Sequence, residues 1–83
     1  MIQHFQPISV FRKDPFKKIL AFPKVKDSEI EKRIVELRKL GVTHVSFTGP
    51  LRIEKCNILG KGYVGMVVLV KKEKKIFALK ISR

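Results

Sequence analysis

The stretch that decides the fold runs from Leu59 to Val70, LGKGYVGMVVLV. Gly60, Gly62 and Gly65 stand in a G-x-G-x-x-G spacing, and the chain then continues into β-branched and aliphatic residues. That spacing occurs in two kinds of phosphate site and in plain glycine-rich turns, so the residues after the last glycine decide between them. A dinucleotide fingerprint opens a helix there, aiming the helix N-terminus at the pyrophosphate. Met66-Val67-Val68-Leu69-Val70 has the composition of a strand instead. The fingerprint also wants an acid about twenty residues on, for a ribose hydroxyl, and Lys80 stands there. The dinucleotide reading fails on both counts.

Downstream, Val64 to Lys71 reads as one strand, Lys72 to Lys75 as a charged turn and Ile76 to Ser82 as the next strand. A hairpin turning at Glu73-Lys74 sets Met66 opposite Ile81, Val68 opposite Leu79 and Val70 opposite Phe77. All six are apolar, and strand alternation gathers them on one face. The other face then carries Gly65, Val67, Leu69, Ala78 and Lys80, with Val67 opposite Lys80. A slip of one residue would push the Lys80 ammonium into the apolar face. Packing therefore predicts this register without any appeal to function.

A glycine turn between strands, a valine two places after the last glycine (Val67) and an alanine-lysine pair on the next strand (Phe77-Ala78-Leu79-Lys80) make a more specific pattern. On these residues, 51–83 resembles the start of the N-terminal lobe of protein kinases. It looks most like the compact predicted serine/threonine kinases of archaea. The resemblance implies an ATP site. Glycines would let the backbone from Lys61 through Gly62, Tyr63 and Val64 to Gly65 approach phosphate oxygens, with positive φ allowed. Leu59 and Gly60 would begin the clamp, and Met66 and Val67 would continue it. Val67 and Ala78 would line the adenine slot, and Lys80 would contact the α- and β-phosphates. Tyr63 either closes over the phosphates or stands as an exposed aromatic.

The resemblance also implies a later helix glutamate, a catalytic-loop aspartate with its asparagine, and a metal-binding aspartate. No residue after Lys80 supplies them. Magnesium would come through that later lobe, so this chain is expected to hold part of a site and not to catalyse alone. Later strands would cover the outer edge of the 76–82 strand. Left bare, that apolar edge invites self-association.

Upstream, DSEIEKRIVELRKLG predicts a helix over about 28–40. Ser28 and Glu31 have capping-box spacing, Ile30, Ile34, Leu37 and Leu40 share one side, and Gly41 is a left-handed stop. Val42 to Phe47 reads as a strand, Thr48-Gly49-Pro50 as a turn, and Arg52 to Leu59 as one further strand. Nearer the N-terminus, Ile8 to Phe11 suits a short strand, and Asp14-Pro15 suits a helix start. The expected architecture is α+β. An amphipathic helix in an extension over 1–50 precedes a three-stranded antiparallel meander over 51–83.

The chain has 83 residues, room for one small domain with a marginal core. Lys and Arg number 19 against 7 acids, for a net charge of +12. This excess favours polyanions without choosing among them. A basic nucleic-acid-binding module or a non-catalytic interaction domain is the alternative, although no aromatics interleave with the bases. One cysteine, Cys56, excludes an internal disulfide. His4 and His44 stand alone, without ligand spacing. The opening residues lack the apolar core of a signal peptide, and no apolar run reaches membrane length. A cytoplasmic protein without a membrane partner is the expectation, with ATP and a protein substrate as partners.

Overall fold

The hairpin downstream of the glycines forms in the expected register. A computed structural model describes residues 4–21, 26–63 and 65–82. Its elements in chain order are β1 (Gln6–Pro7), a 3-10 helix (Ile8–Arg12), α1 (Phe16–Leu20), α2 (Asp27–Lys39), β2 (Val42–Ser46), β3 (Leu51–Ile53), β4 (Cys56–Ile58), β5 (Gly60–Gly62), β6 (Gly65–Lys72) and β7 (Lys75–Ser82). β6 pairs β7 antiparallel, with Met66 opposite Ile81, Val67 opposite Lys80, Val68 opposite Leu79 and Val70 opposite Phe77. Glu73 turns the chain between them in the left-handed region, at φ 56.

The sheet is wider than the expected three strands. β6 is its spine, with β7 along one side. The other side of β6 is shared, β5 pairing its start and β2 its end, and β1 lies outside β2. All these pairs are antiparallel, so the α+β class stands. The sheet and its core thus run across the expected division at residue 50.

Burial explains where local structure departs from the sequence reading. Arg52 to Leu59 is not one strand, because Glu54 and Lys55 take positive φ of 50 and 66 and fold β3 back on β4. A continuous strand would put Ile53 on the face opposite Cys56 and Ile58. The two-residue turn sets Ile53 opposite Cys56, and all three pack on the core. Ile8 to Phe11 lies in a 3-10 helix and not a strand, for a similar reason. Residues three apart share a side of that helix, and both Ile8 and Phe11 are buried.

The long helix starts one residue before the expected capping box. Lys26 holds the N-cap position without a side-chain cap bond, and Ser28 lies inside α2. Glu31 is taken instead by Arg12, whose Nε and Nη2 both donate to its carboxylate. Pro15, not Asp14, holds the N-cap position of α1. Ile30, Ile34 and Leu37 are buried as expected, whereas Leu40 sits at the C-cap and is 60% exposed. Gly41 ends the helix at φ 89.

The core lies on one face of the sheet. Phe11, Ile19 and Ile34 meet Val45, Ile58, Met66, Val68 and Val70 there, all of them nearly inaccessible. Phe47 joins this cluster, stacked on Phe16 at 4.7 Å and edge-on to Phe11 at 5.7 Å. No helix among the described residues is long and apolar enough to cross a membrane.

Candidate functional site

Alternation along β6 and β7 fixes what emerges on the face away from the core. Val67, Leu69, Ala78 and Lys80 point there together. Pairing extends this into two rows across the sheet. Gly60, Val67 and Lys80 form one, and Ser46, Leu69 and Ala78 form the other. Val67 and Leu69 are half-buried, whereas Ala78 and Lys80 are exposed. No ion pair engages Lys80 among the described residues. A small apolar platform with an ammonium group at one side is thus assembled across two strands, from Leu69 and Ala78 and from Val67 and Lys80, because antiparallel pairing brings them abreast.

The glycines are arranged differently from an open loop. Gly60 and Gly62 belong to β5, and Gly62 pairs Gly65, so β5 and β6 meet next to Tyr63. Val64 itself lies outside the described residues. None of the three glycines has a positive φ, which among the described glycines is confined to Gly41 and Gly49. The expected clamp over 59–67 is therefore a closed two-strand hairpin, entered by the Leu59 amide donating to the Val67 carbonyl at 2.9 Å. Strand pairing satisfies backbone groups more cheaply than an open bend, so the amide-rich cradle shrinks toward the tip. Tyr63 stands at that tip, 97% exposed.

The three glycines are not alike in what they permit. A Cβ at Gly65 would lie 1.9 Å from the Ile81 carbonyl oxygen, so β7 excludes a side chain there. A Cβ at Gly60 or Gly62 would meet nothing within 4 Å. Neither packing nor backbone conformation demands glycine at those two positions, although glycine weakens a strand interior. Open backbone beside the Val67–Lys80 row is what a ligand approaching closely would need. Met66 and Lys61 fall on the opposite side of the ladder. The Met66 side chain is buried in the core, so Met66 can offer a ligand only backbone.

Sequence reasoning missed a cavity of about 510 Å³ lined by Phe47, Thr48, Gly49, Pro50 and Asn57. Its wall is built around Gly49, at φ 133, where a Cβ would lie 2.2 Å from the Ile58 carbonyl oxygen. Asn57 Nδ2 donates to the Gly49 carbonyl at 3.1 Å, and Arg52 donates to Asn57 Oδ1 at 3.2 Å. Thr48-Gly49-Pro50 was legible as a turn, but its enclosure against β4 follows only from the β3–β4 fold-back. His44 Nδ1 lies 2.8 Å from the Thr43 hydroxyl, and no cluster of His, Cys, Asp or Glu suited to a metal exists among the described residues. Cys56 is buried, and burial pushes its thiol pKa up.

No family model, curated protein or solved structure matches this chain.

Proposed function

We propose that this chain forms the ATP-binding part of the N-terminal lobe of a serine/threonine-type protein kinase. The supporting observation is the open sheet face, where Val67, Ala78 and Lys80 emerge together beside two glycines that the fold itself does not require. Val67 and Ala78 offer a flat apolar surface to the adenine ring, helped by Leu69. Lys80 offers a compact, flexible cation to the α- and β-phosphates. Gly60 and Gly62 let the nucleotide approach the backbone of β5.

Phosphoryl transfer is mostly positioning and charge neutralisation, and it needs metal ions and a base oriented on the accepting hydroxyl. In this reading the chain contributes the nucleotide clamp. Magnesium ligands, the base and the protein-substrate site belong to the catalytic lobe of the parent protein.

The test is an ATP titration of the isotopically labelled 83-residue chain, followed by backbone and methyl resonances. ATP should shift Gly60, Val67, Leu69 and Ala78 together, and Lys80→Ala should weaken binding by roughly tenfold or more, since a charged contact contributes about 1.5–3 kcal/mol. Shifts spread over all lysine-rich surfaces, equally reduced by Lys61→Ala or Lys75→Ala and matched by an oligonucleotide, would replace this reading with general polyanion binding.

A further inference from the structure

The open face does not end at β6, because β2 and then β1 continue the sheet beyond it. The ladder between β2 and β6 sets Ser46 opposite Leu69 and His44 opposite Lys71, so these four residues share the face with Ala78. The ladder between β1 and β2 sets Gln6 opposite Val45 and Pro7 opposite His44. Continued by one residue, this register places Phe5 beside Ser46, at the outer end of the row that runs through Leu69 to Ala78. A side-chain contact agrees with that placement. Lys71 Nζ, which comes from the open face, lies 5.8 Å from the centre of the Phe5 ring. This is within the roughly 6 Å reach of a cation–π contact.

Burial along the row shows which end is walled. Ala78 is exposed, Leu69 is half-buried and Ser46 is only 2% exposed. The platform is therefore open toward β7 and closed toward β2 and β1. Ser46 is small and lies low on the sheet, and Phe5, itself half-buried, is the bulky side chain that the register sets at the closed end.

The geometry points to Phe5 as a base-binding residue, its ring forming the inner wall of the nucleotide site with the Lys71 ammonium beside it. The inference rests on the nucleotide reading and extends it, because it gives that site a residue from 1–50, outside the kinase-like pattern. With the base laid on Val67, Leu69 and Ala78 and the phosphates at Lys80, the base edge remote from β7 meets the Phe5 ring. Neighbouring strands stand about 4.8 Å apart, so β1 lies roughly 10 Å from β6. A purine seated on Leu69 and reaching over Ser46 spans that gap, and an aromatic ring standing at the base edge gives an edge-to-face contact. Such a contact needs no hydrogen bond, so Phe5 adds affinity for a nucleotide's base and none for its phosphates.

The test titrates the labelled 83-residue chain with ATP and, as a probe without a base, with inorganic tripolyphosphate. ATP should move the Phe5 ring resonances together with Leu69 and Ala78, and tripolyphosphate should leave them in place. Phe5→Leu should weaken ATP by roughly fivefold or more, the scale of a lost aromatic contact with a base, without changing tripolyphosphate affinity. Phe5→Tyr keeps the ring and should bind ATP as the parent does. The chain has no tryptophan, so Phe5→Trp adds a single emitter at the proposed wall, and ATP but not tripolyphosphate should change its emission. Circular dichroism checks that each variant folds. The inference is overturned if Phe5→Leu binds ATP as tightly as the parent, if Phe5→Tyr loses as much as Phe5→Leu, or if both ligands weaken equally. In those cases ATP shifts at Gly60 and Val67 of the parent still uphold the nucleotide reading. Their absence from the parent overturns that reading and this inference with it, so the two failures are told apart.

Discussion

Alanine substitutions at the three glycines of the hairpin should have opposite consequences. At Gly65 the new methyl carbon would stand 1.9 Å from the Ile81 carbonyl oxygen and 3.0 Å from the Ser82 Cα. Ordinary contact between such atoms begins above 3 Å, so β6 and β7 would have to part by more than an ångström at this end. The movement disturbs the Gly65–Ser82 and Met66–Ile81 pairs, and with them the Arg33 bond to Ser82. Overpacking a tight site costs about 1–3 kcal/mol. Backbone atoms on both sides leave no flexible side chain to yield, which places Gly65→Ala at the upper end, near ~3 kcal/mol. A domain of this length has roughly 4–12 kcal/mol in all. The melting temperature should therefore fall by about 10–20 °C. At Gly60 and Gly62 the methyl meets open space, and alanine restricts the unfolded chain, so stability should hold or rise by about 0.5–1 kcal/mol. Thermal and urea unfolding of the three variants measure this directly. Gly65→Ala within ~0.5 kcal/mol of the parent, or Gly60→Ala as damaging as Gly65→Ala, would refute the β6–β7 packing. The same pair separates stability from binding, because Gly60→Ala should weaken ATP while leaving the fold intact.

Three further outcomes are expected. Hydrogen bonding to Arg12 holds the Glu31 carboxyl below the usual carboxylate range, so its contribution is present above that range and is lost as pH falls through the lowered value. Melting curves from pH 7 to pH 2 should converge for the parent and Glu31→Gln in acid, and a constant gap would contradict the pairing. Burial raises the Cys56 thiol pKa, so at pH 8 a thiol reagent should react far more slowly with the native chain than in denaturant, and equal rates would place Cys56 at the surface. Glu54 and Lys55 both sit at positive φ in a two-residue turn, so Lys55→Gly should stabilise by about 0.5–1 kcal/mol in urea unfolding. Destabilisation would mean that the β3–β4 turn is built differently.

The β6–β7 ribbon was legible because its signal is redundant. Six apolar residues, one lysine and a period of two choose the face, the charged turn at Glu73-Lys74 chooses the register, and Met66–Ile81 through Val70–Phe77 follow it. The face of the candidate site came with it, since choosing the register chooses the side on which Val67, Ala78 and Lys80 emerge. Helix α2 was equally plain from Ile30, Ile34 and Leu37, but its start was not. Ser28 and Glu31 have the right spacing for a cap, yet Arg12, nineteen residues away, competes for the same carboxylate. Local motifs lose to such partners because the sequence does not say what comes near. The β3–β4 fold-back was hidden for a related reason. Glu54-Lys55 carries no glycine or asparagine to announce a turn, and only the burial of Ile53 with Cys56 and Ile58 forces one. That missed turn also concealed the cavity beside Asn57. The kinase-like pattern begins only after residue 50, whereas β2 joins the sheet through Val45–Val70 and Ser46–Leu69 pairs that no local pattern reveals.

The size of the chain connects these features to the open face. A domain of about this length buries only roughly 60% of its unfolded surface, and here the 3-10 helix, α1 and α2 are spent on one side of the sheet. The other side keeps Val67 and Leu69 half-buried and Ala78 exposed. A sheet face left to water is normally made of alternating polar residues, yet this one carries valine, leucine and alanine in the rows between Gly60, Ser46 and Lys80. Replacing Leu69 and Ala78 by threonine discriminates the causes of that pattern. If the face only borders water, the double variant should unfold within ~0.5 kcal/mol of the parent and bind ATP as before. If it serves as the adenine platform, stability should be equally little changed while ATP affinity falls by roughly tenfold, because threonine adds a hydroxyl that the ring face cannot pair.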